Sequence, residues 1–168
     1  MPEDPILPDD WATAWSTMSS REFMDWMREQ GVTAPHVELL GYEVDHYDVG
    51  SCRMTWTVPR PLLNPANIAH GGFLAAILDD ACGMSIASSY ARWVPQLTVN
   101  LNVDYLAPVH ADVEHVVEGT MVRRGRSTSL ADATITAPDG TLCARASGVF
   151  QPNRRMVPRD HWEAAGLT

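Results

Sequence analysis

The stretch "NPANIAHGGFLAAILDDACG", residues 64–83, has the composition of a buried helix. Asp79 and Asp80 are its only charged residues, and no other charge occurs between Gly71 and Ala91. A helix this apolar needs other elements to cover it, and a carboxylate within it is costly unless it has a partner or a function. The stretch therefore predicts a central packed helix and marks its two carboxylates as candidates for chemistry.

Segments with strand character precede and follow this helix along the chain. Residues 51–60 and 97–106 alternate apolar and polar side chains, which indicates strands. The same reasoning predicts further strands at 39–50, 112–124, 127–137 and 141–151. One apolar helix among antiparallel strands predicts an α+β fold, in which a curved six-stranded sheet wraps around one long central helix.

Both ends of the chain are predicted to lie outside this core. Residues 1–18 contain three prolines and show no clear period, so we expect an irregular arm that Trp11 and Trp15 order in part. Residues 19–31 predict a short helix, because Ser19 and Glu22 have capping-box spacing and Gly31 can end it. The predicted organisation is an arm and helix over 1–36, a central domain over 37–152 and a tail over 153–168.

The composition argues against several classes of function. The 168 residues carry a formal net charge of −9, and all 12 basic residues are arginine. The negative charge disfavours nucleic acid and anionic membranes as partners, and the lack of lysine excludes Schiff-base chemistry and a Walker-type phosphate lysine. The absence of a signal-peptide pattern, of a membrane-spanning run and of paired cysteines predicts a cytoplasmic protein without membrane insertion.

A helical projection separates the two aspartates by about 100°. Asp79 falls on a face of small residues, and Asp80 falls on its flank. The small face contains Gly72, Ala75, Ala76, Cys82, Gly83 and Ile86, and the opposite, bulky stripe contains Phe73, Leu74, Ile77, Leu78, Ala81, Met84 and Ser88. We therefore expect a second subunit to cover Asp79 in a narrow, partly dry channel that raises its pKa, and we expect a structural role for Asp80.

The glycines at the start of the helix are a second functional feature. The first backbone N–H groups of a helix have no intrahelical partner, so a carbonyl oxygen or oxyanion can approach the N–H of Gly71. His70 and Asp79 are nine residues apart, about 13 Å along a helix, which is too far for both ends to act on one carbonyl. Either the two features are unrelated, or a homodimer pairs Gly71 of one subunit with Asp79 of the other.

The spacing of Asn64, "HGG" at 70–72 and Asp79 resembles that of the hotdog-fold acyl-CoA thioesterases of the PaaI type. The segments "VNLNVDYLAPV" at 99–109 and "RRGRS" at 123–127 also fit that family, and the resemblance covers roughly residues 37–152. It implies the hotdog fold, a homodimer or a homotetramer built as a dimer of dimers, and hydrolysis of an acyl- or aryl-CoA to the free acid and CoA. Coenzyme A is then part of the substrate, and no separate cofactor or metal is expected.

The resemblance also implies roles for individual residues. Asp79 corresponds to the catalytic carboxylate, acting as general base on water or as nucleophile. Gly71 polarises the thioester carbonyl, Asn64 positions water or the thioester, and His70 supports that loop. Thr98 is a second polar contact, contributed by the partner chain.

The arginine-rich hairpin is the implied site for coenzyme A. The resemblance assigns the phosphates to Arg123 and Arg126, beside Gly125 and Ser127. Guanidinium groups suit phosphate by charge and geometry, and here they offset an unfavourable net charge. For Arg124, two alternatives stay open: it binds phosphate, or it is solvated at the hairpin tip.

Other functions compete with this interpretation. A non-catalytic acyl-binding protein would keep the channel and the arginines but would not require Asp79. A hotdog hydratase would share the fold and ligand, but the Asp-x4-His pattern of such enzymes is missing. "GMSIA" at 83–87 nearly matches a serine-hydrolase elbow, yet it lacks the last glycine. A metal site is conceivable from the spacing of His110, Asp112, Glu114 and His115.

The acyl pocket is expected to be lined from two chains. Candidates for the pocket lining are spread along the chain, and they are Met24, Trp26, Phe73, Met84 and Trp93. The N-terminal helix is a candidate cover for that pocket, which would make it a specificity element.

Overall fold

The structure is a computed structural model that describes residues 10–157 and 159–168. The helices are α1 (Trp11–Thr17), α2 (Ser20–Glu29), α3 (Pro35–Leu40) and α4 (Gly71–Ala87). The strands are β1 (Tyr42–Asp48), β2 (Ser51–Thr57), β3 (Gln96–Tyr105), β4 (Glu114–Arg124), β5 (Ser129–Thr136) and β6 (Leu142–Pro152). Two short 3₁₀ turns at Arg60–Leu62 and Arg159–His161 complete these elements.

The strands form one six-stranded antiparallel sheet in the order β1-β2-β4-β5-β6-β3. The long helix α4 packs against this sheet, and the two approach closely at Gly119 of β4. A Cβ atom at Gly119 would lie 2.1 Å from the carbonyl oxygen of Ala81, so only glycine fits there. The predicted α+β architecture, a six-stranded sheet around one central helix, is confirmed.

The faces of α4 differ in part from the helical projection. Cys82 and Ile86, which the projection put on the small face, are fully buried in the core. Met84, from the predicted bulky stripe, is only partly buried. The remaining small positions, Gly72, Ala75, Ala76, Asp79 and Gly83, are partly or fully exposed in the single chain. A narrower small-residue face therefore exists, and it is open in one protomer.

The N-terminal region is more regular than the sequence indicated. Residues 1–9 of the predicted arm lie outside the described residues, but Trp11–Thr17 form α1. Trp15 is buried and its indole N–H donates to the carbonyl of Trp93 at 2.7 Å. A helix of this length is marginal alone, so tertiary packing stabilises it, and residues 11–17 are not irregular as predicted. The predicted capping box between Ser19 and Glu22 is present at the start of α2.

The strand predicted from residue 39 begins later, because a short helix precedes it. Pro35 occupies the first turn of α3, and Gly41 ends the helix with a left-handed φ of 69°. Proline at the start and glycine after the end are standard helix boundaries, which the apolar alternation over 39–50 obscured. The α3 helix spans the predicted boundary at residues 36–37, so the N-terminal segment runs directly into β1.

The C-terminal tail also packs on the core. Ala165 and Leu167 are buried, and the His161 ring lies edge-on to Trp15 with centroids 5.3 Å apart. Both ends of the described chain therefore contribute to one hydrophobic core. Among the described residues, no helix is long and apolar enough to cross a membrane.

Candidate active site

Asp79 projects from α4 towards the start of β3. The hydroxyl of Thr98 lies 2.8 Å from Oδ1 and 3.0 Å from Oδ2 of Asp79, so it donates to this carboxylate. Burial raises the pKa of Asp79, while the Thr98 hydrogen bond and the charge of His36 oppose that rise. A half-buried carboxylate with a raised pKa and one hydroxyl donor is suited to act as a general base.

The contact between Thr98 and Asp79 lies within one chain. The resemblance implied a contact from Thr98 of the partner chain, whereas in the structure Thr98 bonds Asp79 of its own chain, so the two residues enter any shared site together. They form one half of the candidate site.

Asp80 has its own set of partners. The hydroxyl of Tyr42 donates to Oδ2 at 3.1 Å, and Nε2 of His36 lies 3.2 Å from Oδ1. Burial raises the pKa of Asp80, whereas His36 and Tyr42 lower it. Burial and the neighbouring Asp80 hold the pKa of Tyr42 far above its usual range, so Tyr42 remains a phenol donor. These contacts join α4 to α3 and β1.

Both aspartates line the same pocket, which the helical projection did not anticipate. The pocket has a volume of about 920 Å³, and Asp79, Asp80 and Thr98 form part of its wall. The charge of Asp79 contributes to the raised pKa of Asp80, so the two carboxylates are electrostatic neighbours even though their hydrogen-bond partners differ.

The apolar wall of this pocket was predicted in part. Met24, Met84 and Trp93 line it as expected. Trp26 and Phe73 do not: Trp26 stacks on Phe23 at 5.6 Å between centroids, and Phe73 packs against the ring of His70 at the opposite end of α4.

The N-terminus of α4 forms a second polar cluster. His70 caps the helix, because its Nδ1 accepts from the N–H of Gly72 at 3.1 Å and its carbonyl accepts from the N–H of Phe73 at 2.9 Å. The N–H of Gly71 has no acceptor within the described part of the chain. The hydroxyl of Tyr105 donates to the carbonyl of Gly71 at 3.1 Å and so fixes this turn. The Gly71 N–H is therefore free to meet a ligand oxygen.

Asn64 stabilises the loop that leads to this turn. Its Oδ1 accepts from the backbone N–H of Ala66 at 2.9 Å and, more weakly, from that of Ile68 at 3.4 Å. Its backbone N–H also donates to the carbonyl of Ile68 at 2.8 Å. The side-chain oxygen is thus engaged in the loop, and the amide nitrogen is the group that can face a ligand.

The two clusters do not meet within one protomer. Gly71 and Asp79 both belong to the continuous helix α4. Eight residues of helix separate them by about 12 Å. The structure therefore brings Asp79 and Thr98 together at one place, and Asn64, His70 and Gly71 together at another.

All three arginines of the hairpin are exposed, and Arg124 also makes structural contacts. Arg124 donates to the carbonyl of Ser89 after α4, and its guanidinium lies 5.0 Å from the ring centroid of Tyr90. Arg123 and Arg126 are exposed and form no ion pair among the described residues.

The turn between β4 and β5 requires glycine. A Cβ atom at Gly125 would lie 2.3 Å from the carbonyl oxygen of Thr128. Ser127 is exposed beside it, and the C-terminal tail reaches the hairpin where Arg154 donates to the carbonyl of Arg126 at 3.1 Å. This tail contact had no signal in the sequence, because the two arginines are far apart along the chain.

The structure does not support the two competing sites suggested by the sequence, a serine nucleophile in the "GMSIA" segment and a metal site near His115. Ser85 of the "GMSIA" segment is fully buried, and its hydroxyl donates to the carbonyl of Cys82 at 2.8 Å, so it cannot act as an exposed nucleophile. His115 is buried, with Nδ1 2.9 Å from the carbonyl of Val113. No group of three or more His, Cys, Asp or Glu side chains in the described residues could hold a metal ion.

Comparisons with known proteins agree with this architecture. The structure resembles that of the E. coli PaaI protein from the phenylacetic acid degradation operon, with a TM-score of 0.68, 21% identity, and coverage of 84% of this chain and 94% of that one. It also resembles a hypothetical thioesterase protein with coenzyme A from Streptococcus pneumoniae, with a TM-score of 0.62, 26% identity, and coverage of 67% and 88%.

Sequence comparison points the same way. The chain is 26% identical over 109 residues to "Putative esterase Ta0293" of Thermoplasma acidophilum, covering 65% of this chain and 81% of that protein. The family model described as "Thioesterase superfamily" matches residues 66–144, the region that contains α4, Asp79 and Thr98. The chain therefore has the hotdog fold of these structural neighbours, and its residues 66–144 match the Thioesterase superfamily model.

Proposed function

We propose that this protein hydrolyses the thioester of an acyl- or aryl-CoA to the free acid and CoA. The observation that carries the proposal is Asp79, a half-buried carboxylate with a raised pKa that receives one hydroxyl hydrogen bond and opens on a large pocket. A carboxylate in such a position can act on water or on the thioester carbonyl. The superfamily match supports a hydrolase at this coarse level.

A homodimer completes the site in this proposal. The Gly71 N–H is free but lies about two helical turns from Asp79 of the same chain. An antiparallel arrangement of two α4 helices would bring Gly71 of one subunit to Asp79 of the other. The open face of small residues, which includes Ala75, Ala76 and Gly83, permits the close approach that this arrangement needs.

In this proposal Asp79 of one subunit and the Gly71 N–H of the other supply different parts of the chemistry. With Asp79 as general base, it accepts a proton from water while the water oxygen attacks the carbonyl carbon. The Gly71 N–H donates to the oxyanion of the tetrahedral intermediate. The C–S bond breaks, and the thiolate of CoA leaves and takes up the proton. With Asp79 as nucleophile, its oxygen attacks the carbonyl carbon, the C–S bond breaks and the CoA thiolate leaves a mixed anhydride behind. Water then hydrolyses the anhydride to the free acid and the Asp79 carboxylate, and the thiolate takes up the released proton.

Residues around the two half-sites have supporting roles. Thr98 orients the Asp79 carboxylate, and His70 holds the helix N-terminus by capping Gly72. Asn64 maintains the loop and offers its amide nitrogen to the thioester or to water. Arg123 and Arg126 are placed at an exposed hairpin, where their guanidinium groups can bind the phosphates of CoA.

A hydrolysis screen tests the proposal. Purified protein is offered short, medium, long and aryl acyl-CoA thioesters, and the released thiol is measured. Asp79→Asn should reduce kcat by about a hundredfold or more while the ligand still binds. The matched control, Asp132→Asn, changes an exposed carboxyl on β5 and should retain activity. A folded protein that binds acyl-CoA but hydrolyses none of these thioesters would instead support a non-catalytic acyl-binding function.

Single-turnover hydrolysis in ¹⁸O-labelled water separates the two catalytic roles. In one turnover, a nucleophilic Asp79 whose anhydride is opened by water at the aspartyl carbonyl takes the label into its carboxylate and releases unlabelled acid, whereas a general base leaves the label only in the released acid. Mass spectrometry of the peptide containing Asp79 reads this difference.

A further inference from the structure

The pocket beside Asp79 owes much of its wall to the segment 20–37, which precedes the residues that match the superfamily. Met24 and Met27 of α2 line the pocket, as do Val32 in the following loop and Val37 in α3. Met84 of α4 and Phe150 of β6 face the same space from the core domain. A segment outside the matched region thus shapes the space next to the proposed catalytic carboxylate.

Two side-chain contacts hold the segment in place beside the pocket. Arg28 donates to the carbonyl of Val44 on β1 at 3.1 Å, and His36 lies 3.2 Å from Asp80 on α4. Fully buried Phe23 anchors α2 in the core. These contacts connect the segment to β1 and α4, so its apolar side chains have defined positions relative to Asp79.

The chemistry of the wall favours an apolar occupant. Methionine side chains adapt their shape to irregular apolar ligands, and the valines add rigid surface. The two basic side chains of the wall are already paired: Arg28 with Asp25 at 3.0 Å and His36 with Asp80 at 3.2 Å. A carboxylate at the far end of an acyl group would therefore find no free cation among the described residues of the wall.

The size of the pocket points to a large acyl group. Its volume of about 920 Å³ lies near the top of the roughly 300–1,000 Å³ that hold drug-sized ligands. An acetyl group would fill a small part of this space and would leave most of the apolar wall in contact with water. Affinity gained from burial grows with the apolar area removed from water, so larger acyl groups benefit more.

We propose that the segment 20–37 is the acyl-selecting wall of this protein and that it selects large, uncharged, apolar acyl groups over short or carboxylate-ended ones. This inference rests on the proposed thioester hydrolysis, since it names the substrate class of the same site. Met27 and Val37 are the specificity-determining residues: they line the pocket, are only partly buried, and belong to different helices of the segment.

The first test is a chain-length series of acetyl-, butyryl-, hexanoyl- and octanoyl-CoA. Because each added methylene is buried, kcat/KM should rise about three- to fourfold per methylene. Suberoyl-CoA, an eight-carbon acyl group with a terminal carboxylate, should be hydrolysed at least tenfold less efficiently than octanoyl-CoA. A series that is flat from acetyl to octanoyl would overturn the inference, as would equal use of suberoyl- and octanoyl-CoA.

The second test is a matched pair of substitutions on α3. Val37→Phe fills the pocket and should lower the ratio of octanoyl to butyryl kcat/KM at least tenfold. Leu39→Phe changes an exposed residue of the same helix that does not line the pocket, and the ratio should stay within twofold of wild type. Met27→Trp supplies a second filling variant from α2, and thermal melts verify that each protein is folded. Unchanged ratios in folded Val37→Phe and Met27→Trp would overturn the inference.

A binding measurement separates this inference from the proposed function. If no thioester is hydrolysed, the proposed activity fails. Calorimetric titration of the wild-type protein with octanoyl-, suberoyl- and acetyl-CoA still tests whether the segment 20–37 selects large apolar acyl groups. Octanoyl-CoA should bind at least tenfold more tightly than either of the other two. Equal affinity for all three would overturn the acyl-selecting wall whatever the activity.

Discussion

Thr98 and Asp79, nineteen residues apart, meet through one hydroxyl that lies 2.8 and 3.0 Å from the two carboxylate oxygens. The helix carries the carboxylate and an outer strand of the sheet carries the hydroxyl, so the contact depends on how α4 sits on β3. The hydrogen bond lowers the pKa of Asp79 and partly offsets the rise that burial causes. Thr98 thereby helps to set the pH range in which Asp79 is ionised.

Removing this hydroxyl should change the pH profile of hydrolysis. Asp79 must be ionised to act as base or nucleophile, so kcat/KM should rise with pH through a pKa above the ordinary value of about 3.8. Thr98→Val removes the hydrogen bond that stabilises the ionised form, and the rising limb should move to higher pH. Thr98→Ser keeps the hydroxyl and should restore the wild-type limb. A limb at the same pH in all three proteins would exclude this role for Thr98.

Asp79 should cost the protein stability at neutral pH. Because burial raises its pKa in the folded state, the folded protein binds more protons than the unfolded chain between pH 3.8 and the folded pKa. Stability should therefore fall as pH rises through that window. Asp79→Asn removes the charge and should raise Tm at pH 7, while it reduces kcat by about a hundredfold or more.

The gain from Asp79→Asn should be smaller at pH 4 than at pH 7, because the wild-type carboxyl gains its proton as pH falls through the raised pKa of Asp79. Differential scanning calorimetry at the two pH values measures both effects. A lower Tm for the variant at pH 7 would mean that the carboxylate stabilises the fold, contrary to this argument.

Tyr42 should stabilise the fold through Asp80. Tyr42→Phe leaves a buried carboxylate with His36 as its remaining side-chain partner, and such a loss costs about 1–3 kcal/mol of unfolding free energy. Tyr47→Phe is the matched control in the same pocket, because the Tyr47 hydroxyl has only a 3.9 Å contact with the Met84 sulfur. Urea unfolding compares the two variants, and equal losses would argue against the Asp80 contact as the cause.

Substitutions of the hairpin arginines should have two different effects, one on KM for CoA thioesters and one on Tm. Arg126→Gln removes an exposed charge and should raise KM for a CoA thioester roughly tenfold. KM for the N-acetylcysteamine thioester of the same acyl group, which lacks phosphates, should not change. Arg124→Gln breaks the contact with Ser89 and Tyr90, so it should lower Tm and leave the ratio of the two KM values intact. Equal effects of Arg126→Gln on both thioesters would contradict phosphate binding.

Much of the fold could be predicted because its signals are local. The period-two alternation in β2 and β3 and the uncharged run of α4 are visible within single segments of the sequence. The short helices α1 and α3 were missed because tertiary contacts stabilise them, such as the bond from Trp15 to Trp93.

The site was harder to predict than the fold. Asp79 and the glycine turn stand out by their uncharged surroundings and their spacing. His36 and Tyr42 lie 44 and 38 residues from Asp80 in the sequence, and no local pattern links them to it. The common pocket of Asp79 and Asp80 was also hidden, because a helical projection describes directions around one helix and not the elements that surround it.

The central claim is that two chains build each site, and mixed dimers test it most directly. Asp79→Asn removes the carboxylate, and Gly71→Pro removes the backbone N–H at the first helical position, where proline is well accommodated. Each variant alone should lose nearly all activity. When differently tagged chains of the two variants are co-expressed and the mixed dimer is purified, one of its two sites is intact.

The measurement is kcat of this purified mixed dimer on an acyl-CoA that the wild type hydrolyses. The account predicts recovery to about half of the wild-type value per dimer, because one site regains both Asp79 and the Gly71 N–H. A mixed dimer as inactive as its two parents, or a fully active wild-type monomer, would contradict it.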